Sequence, residues 1–312
     1  MPEPTLFAER LSAPEGPVVG PNGWVLNVCS FTLTDRDWPY RGGDITATHQ
    51  SRPLHTHAVF NTSTSEVTGI PAALAFGPDG CLYVTDEGRR AIVRVAPEGV
   101  QTDFVGGEQG AELNGPNDLC FDADGNLFFT DPWTSSLGNP IGGVYGYEWA
   151  TGRLTRIADG LAFPNGIVLW EKRLYVAETM TRKVWLFEVT GPGRAGNRAE
   201  FCTLPEMPSD EWQGGDGMAL DAEGNLYVTQ LVAGCLRVYD REARLLESIP
   251  TSGRRPTNVC FGGPDLETLF VTVDDLGTLV TIPIGVAGHR LPLCPSRTEQ
   301  HPWAAMLPSS PT

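Results

Sequence analysis

The chain is short of positive charge, of paired cysteines and of long apolar runs, and each shortage excludes a class of protein. Lysine and arginine number 22 against 38 aspartate and glutamate, a formal net charge of −16. A polyanion is repelled by nucleic acid and by anionic lipid, so neither is expected as a partner. No segment is long and apolar enough to cross a bilayer. Met1-Pro2-Glu3-Pro4-Thr5 also lacks the basic-then-apolar order of a secretion signal, which points to a cytoplasmic protein. The seven cysteines include no C-x-x-C pair and are odd in number, which argues against a zinc knuckle or a disulfide framework. Neither a G-x-S-x-G elbow nor a phosphate-cradling glycine loop occurs, so serine acyl transfer and nucleotide use lose their usual signatures. A sustained helical period is missing as well.

What is present is one phrase, repeated with variation. Its copies are Pro14-Glu15-Gly16-Pro17-Val18-Val19, Pro71-Ala72-Ala73-Leu74-Ala75-Phe76, Pro116-Asn117-Asp118-Leu119-Cys120-Phe121, Pro164-Asn165-Gly166-Ile167-Val168-Leu169, Gly215-Asp216-Gly217-Met218-Ala219-Leu220 and Pro256-Thr257-Asn258-Val259-Cys260-Phe261. They recur at intervals of 41 to 57 residues, enough for four short strands and their turns, as in one propeller blade. Acidic-Gly turns follow several copies, and each leads into a second apolar run. Asp122-Ala123-Asp124-Gly125-Asn126 precedes Leu127-Phe128-Phe129, and Asp221-Ala222-Glu223-Gly224-Asn225 precedes Leu226-Tyr227-Val228. Glycine accepts the positive φ that such hairpins require. The expectation is an all-β, six-bladed β-propeller in one domain, residues 1–287. Thr5 to Leu11 would supply an outer strand that closes the last blade, and a Pro-rich tail, 288–312, would be irregular or mobile. Cys120 and Cys260 stand where other copies have Ala75 and Ala219, so they read as small buried hydrophobes.

One column of the repeat carries chemistry. The residue after the leading Pro or Gly is Glu15, Ala72, Asn117, Asn165, Asp216 or Thr257. Innermost strands line a propeller's channel, so equivalent positions far apart in sequence converge on one axis. Glu15, Asn117, Asn165 and Asp216 would then present two carboxylates and two amides to a common point. Hard oxygen donors of that kind suit Ca²⁺, Mg²⁺ or Mn²⁺ better than zinc held by cysteine and histidine. Without a cation the two carboxylates would repel and one would hold a proton. Asn-Gly and Asp-Gly also make ordinary turns, but Glu15 and Ala72 do not fit a column of turn residues.

A long insertion, about Phe31 to Phe60, explains the first and longest interval. Its Trp38, Tyr40 and Arg41 are candidates for setting substrate choice, since long loops in compact domains often bind. His55 and His57 lie on one face of an extended segment but have no evident partner ligand. Trp133 and Trp212 sit on further inter-strand loops and offer aromatic surface to an apolar substrate, or to packing.

The strings Gly115-Pro116-Asn117-Asp118, Phe163-Pro164-Asn165-Gly166, Leu174-Tyr175-Val176-Ala177-Glu178-Thr179 and Gly215-Asp216-Gly217-Met218-Ala219-Leu220-Asp221 resemble the SMP-30/gluconolactonase/LRE-like family, over about Glu15 to Ile284. The resemblance implies a six-bladed propeller, a divalent metal in the channel and hydrolysis of a small-molecule lactone. Calcium is the expected ion, with Mg, Mn, Zn or Fe as alternatives. By motif, Glu15, Asn165 and Asp216 match the family's metal ligands, Asn117 the amide facing metal or substrate, and Asp118 its polar neighbour. Some sugar-lactonase members place Arg where this chain has Gly115, which puts an aldonolactone substrate in doubt. The metal would polarise the lactone carbonyl, and Asp216 or Asp118 would take the proton of the attacking water. Organophosphate or other ester hydrolysis at the same site, and a non-enzymatic scaffold for a protein partner, are the alternative readings. The oligomeric state is left open.

Overall fold

The computed structural model describes residues 3–107, 112–291 and 301–309. Among them the chain forms six antiparallel four-stranded sheets. Their first strands are Pro14–Val19, Pro71–Phe76, Leu119–Phe121, Pro164–Trp170, Gly215–Leu220 and Pro256–Gly262, so each sheet begins at one copy of the repeated phrase. Every first strand touches the next, and the sixth touches the first, which closes a ring of six blades around a channel. The expected propeller is therefore the fold.

Local chemistry explains the hairpins. Asp122 Oδ1 accepts from the backbone N–H of Asp124 and Asn126, and Asp221 Oδ1 accepts from Glu223 and Asn225. Gly125 and Gly224 take the positive φ, +84° and +82°, between those partners. Closure follows the expected route. Thr5–Ala8 pairs antiparallel with Thr278–Pro283, Thr5 opposite Thr281, and becomes the outer strand of the sixth sheet.

A second device links the blades. Ser30 Oγ donates to the carbonyl of Pro71 (2.6 Å), and Thr85 Oγ1 to that of Asn117 (2.5 Å). Thr130 Oγ1 donates to Asn165 (2.7 Å), Thr179 Oγ1 to Gly215 (2.8 Å), Thr229 Oγ1 to Thr257 (3.0 Å), and Thr257 Oγ1 to Pro14 (2.8 Å). These six bonds run once around the ring. Each satisfies a backbone carbonyl that the bulged first strand leaves without a ladder partner.

The core lies between neighbouring sheets. Leu26, Val28 and Ile45 of the first blade, for example, pack with Leu82, Val84 and Val93 of the second. The six described cysteines are buried, as expected, while Cys294 lies outside the described residues.

Two expectations need correction. The insertion at Phe31 to Phe60 is not one loop: Asp44–His49 and Thr56–Asn61 are the third and fourth strands of the first blade, leaving only 30–43 as an excursion. Its Ile45-Thr46-Ala47-Thr48 run alternates apolar and polar residues as a strand does. Nor is the tail irregular throughout. Pro302–Ala305 forms a short 3₁₀ turn, and Trp303 is fully buried with Leu307 in the cluster between the first two blades. Burying one indole accounts for that docking. Residues 292–300 and 310–312 lie outside the described residues.

Candidate functional site

Asn165 and Asp216 reach the channel because register slips between Pro164 and Ile167 and between Gly215 and Met218 turn them out of the ladder, while Glu15 is the last paired residue before the slip to Val18 and Asn117 precedes its strand. The bulges press on their neighbours. A Cβ on Gly166 would meet the Asp216 carbonyl at 2.2 Å, and one on Gly217 would meet Asn258 at 2.1 Å. Glycine at those positions lets adjacent blades approach closely enough for their column residues to share a space.

Glu15, Asn117, Asn165 and Asp216 all line one cavity of about 520 Å³ at one end of the channel. The Asn117 amide donates to Glu87 Oε1 (2.9 Å), and the Asn165 amide donates to Thr179 Oγ1 (3.2 Å). Both amide nitrogens are thus engaged by protein, which leaves the two amide oxygens for the cavity. Among the described residues Glu15 accepts only the adjacent Gly16 N–H, at 3.1 Å, and Asp216 accepts no side-chain hydrogen bond. Burial pushes the Glu15 carboxyl well above the usual carboxylate range, and the negative field of Asp216 adds to it. Burial likewise raises Asp216, with Asp118 reinforcing it and Arg255 opposing. The part-buried carboxyl of Glu15 and the buried one of Asp216, with unfilled lone pairs, beside two inward amide oxygens form a donor set that a hard divalent cation fits. Among the described residues no three His, Cys, Asp or Glu side chains gather as a metal cluster, so the amides are integral to any such site.

Asp118 occupies a different level. Its Oδ1 accepts from Leu119 N–H (2.8 Å), its Oδ2 from Ile167 N–H (3.0 Å), and it lines a second, mainly apolar cavity of about 470 Å³ farther along the channel. Burial pushes its carboxyl up to about 7, against the lowering effect of those two N–H groups. Asn258 repeats the arrangement, accepting from Val259 N–H at 2.8 Å. Asp118 therefore ties the third blade to the fourth beneath the column, instead of lining the same cavity as the other four.

Trp38, Tyr40 and Arg41 do not line that cavity. Tyr40 packs against the cluster of Phe7, Leu11 and Cys29 and donates to the Thr56 carbonyl (2.5 Å). Trp38 lies against Gly277 with the Arg36 guanidinium 4.6 Å from its ring, and Arg41 is exposed. The hydroxyl of Tyr40 and the indole of Trp38 find partners on the first and sixth blades, which draws the segment away from the channel. His55 and His57 also stay apart from any ligand set, and the His57 ring meets Trp24 edge-on at 5.8 Å.

The cavity contains residues that the repeat did not reveal: Glu87, Arg255 and Asp274, with Phe31, Phe163 and Met180 beside the expected Trp133 and Trp212. Burial pushes Glu87 up to about 8, opposed by the Asn117 bond. Arg255 reaches Asp274 and Glu211, each at 3.3 Å. A signal existed for two of them. Thr85-Asp86-Glu87 and Thr272-Val273-Asp274 end second strands in the same register, a second column just behind the first.

The profile of the family described as SMP-30/Gluconolactonase/LRE-like region matches residues 43–274. The chain belongs to that family. The match takes in Asn117, Asp118, Asn165 and Asp216 of this SMP-30/gluconolactonase-like chain but begins after Glu15, whose place rests on the geometry above. A gluconolactonase of Zymomonas mobilis is 31% identical over 211 residues, 63% of this chain and 58% of that protein. The chain thus spans less than two thirds of that relative's length. A diisopropyl-fluorophosphatase of Loligo vulgaris is 27% identical over 220 residues, 65% of this chain and 68% of that one. The solved structure of a gluconolactonase from Xanthomonas campestris superposes with a TM-score of 0.72 at 24% identity, over 89% of this chain and 88% of that one, a likeness of fold. No helix among the described residues is long and apolar enough to cross a membrane.

Proposed function

We propose that this chain hydrolyses lactones with the help of a divalent cation held by Glu15, Asn117, Asn165 and Asp216. The observation that carries the reading is the convergence of four oxygen-bearing side chains from four blades on one cavity. A scaffold that only displays loops has no use for two carboxyls facing one cavity with unfilled lone pairs. The relationship to the Zymomonas gluconolactonase supports a cyclic ester as substrate.

The chemistry supplied by such a cation, when bound, is stabilisation of negative charge developing on the acyl oxygen. The remaining work belongs to the chain. Asp216 accepts a proton from water as the water oxygen bonds to the acyl carbon; the ring C–O bond then breaks, and the proton passes to the departing alkoxide, giving a hydroxy acid. Asp118 is the weaker candidate for that base, because backbone N–H groups already occupy both of its oxygens. Glu87 and Thr179 hold the amides of Asn117 and Asn165 in the orientation that turns their oxygens inward. Calcium is our expected ion, because the donors are all oxygen.

The test is metal content after purification, followed by lactone hydrolysis with and without a chelator. Activity that vanishes on chelation and returns with Ca²⁺ supports the reading, and a rate indifferent to complete metal removal refutes it. The relationship to the fluorophosphatase favours a second reading, a phosphoester or phosphorofluoridate substrate on the same residues. A phosphotriester in the same assay decides between them.

A further inference from the structure

We infer that the substrate is an uncharged lactone bearing an aryl or alkyl substituent, not a polyhydroxylated or anionic one. This rests on the hydrolase reading and deepens it. The walls above the four column residues are apolar: Phe31 stacks near Trp133 (ring centroids 6.4 Å apart, planes 20° from parallel), Phe163 meets Trp212 edge-on at 4.6 Å, and Met180 and Leu231 fill the side between. Phe31 and Trp212 are 45% and 43% exposed, so two large rings at the mouth stand open to water. Rings exposed at the mouth of a cavity whose floor is polar fit a ligand with one polar and one apolar end.

The three buried hydroxyls of the lining are already committed, which leaves a sugar only those of Thr134 and Ser136 among the described lining residues. Ser30 donates to the Pro71 carbonyl and Thr257 to that of Pro14. Ser135 donates to Leu161 and accepts from Gly142 and Phe163. Position 115 offers no replacement, because a Cβ there would meet Trp133 Cβ at 2.6 Å. Trp133 fills the space a polar side chain would need.

The charged side chains of the lining disfavour an anionic substrate. Among the described lining residues are the carboxyls of Glu15, Glu87, Asp216 and Asp274, and the one positive side chain, Arg255, is shared between Asp274 and Glu211. A phosphate or carboxylate on the substrate would find no unpaired cation among the described lining residues.

The experiment compares a phenyl-substituted δ-valerolactone, unsubstituted δ-valerolactone and a tetrahydroxylated δ-lactone. Their non-hydrolysable lactams are titrated in parallel by tryptophan fluorescence. The expected result is a kcat/KM for the phenyl lactone roughly a hundredfold above that for the tetrahydroxylated one, with lactam affinities in the same order. In Trp212→Ala the preference for phenyl over unsubstituted lactone should shrink about tenfold. Equal or better turnover of the tetrahydroxylated lactone overturns the inference while leaving the hydrolase reading intact. If no lactone is hydrolysed, the hydrolase reading fails. The lactam titration then decides the inference alone: preferential binding of the phenyl lactam supports it, and equal binding overturns it.

Discussion

Across the boundary between the second and third blades, the Asn117 side-chain amide donates to Glu87 Oε1 at 2.9 Å. Glu87 is buried, and the bond fixes which end of the Asn117 amide faces the cavity. In Glu87→Ala that constraint is gone, and either end of the amide can turn inward. Partners that orient a ligand typically change metal affinity about 10- to 100-fold when removed. The expected outcome is a loss of Ca²⁺ affinity in that range by titration calorimetry, with a native far-UV circular dichroism spectrum. Unchanged affinity would show that Asn117 is not oriented by Glu87.

Asp216→Asn tests the proposed base directly. The substitution preserves volume and one oxygen but removes the proton acceptor, so kcat should fall by about a thousandfold or more. Thermal stability should hold or rise, since burial and the field of Asp118 disfavour the ionised carboxylate. A rate assay beside a melting curve settles the assignment, and a mutant that turns over at the parental rate contradicts it.

The ring and its column were legible in the sequence because both are written in short-range chemistry. An Asp-x-x-Gly-Asn turn fixes a hairpin within five residues, and the phrase ahead of it marks each bulge. Glu87, Arg255 and Asp274 were harder to see, because they reach the cavity from the ends of second strands and from a crossover, where flanking residues vary between blades. Trp38, Tyr40 and Arg41 show the opposite failure. A loop's composition does not reveal which side of a blade it runs along, and the Thr56 carbonyl that receives Tyr40 lies on a strand concealed within the supposed insertion. Trp303 has no local period at all; its burial between two blades is a long-range event.

Thr130→Val tests the hydroxyl ring. The change conserves shape but removes the donor to the Asn165 carbonyl, a buried bond of 2.7 Å, and the acceptor of the Asp118 N–H, at 3.1 Å. An unsatisfied buried acceptor costs about 1–3 kcal/mol. The urea midpoint should fall accordingly with an unchanged slope. A midpoint equal to that of the parent would mean the carbonyl finds another donor and the ring is dispensable.

Burial raises the carboxyls of Glu15 and Asp216, pushes Asp118 up to about 7 and pushes Glu87 up to about 8. In the unfolded chain the same groups titrate near pH 4. Between those limits the folded, cation-free protein binds more protons than the unfolded chain, so stability falls as pH rises. The contribution is fully present below about pH 4 and is lost as pH climbs through about 7 to 8. A cation occupying the four oxygens takes the protons' place, so its stabilising effect grows over the same window. The melting temperature of chelator-treated protein should drop by roughly 5 °C or more between pH 5 and 7.5. Added Ca²⁺ should raise it far more at pH 7.5 than at pH 5. A calcium effect that is equal at both pH values would mean these carboxyls release no protons on binding and do not hold the ion.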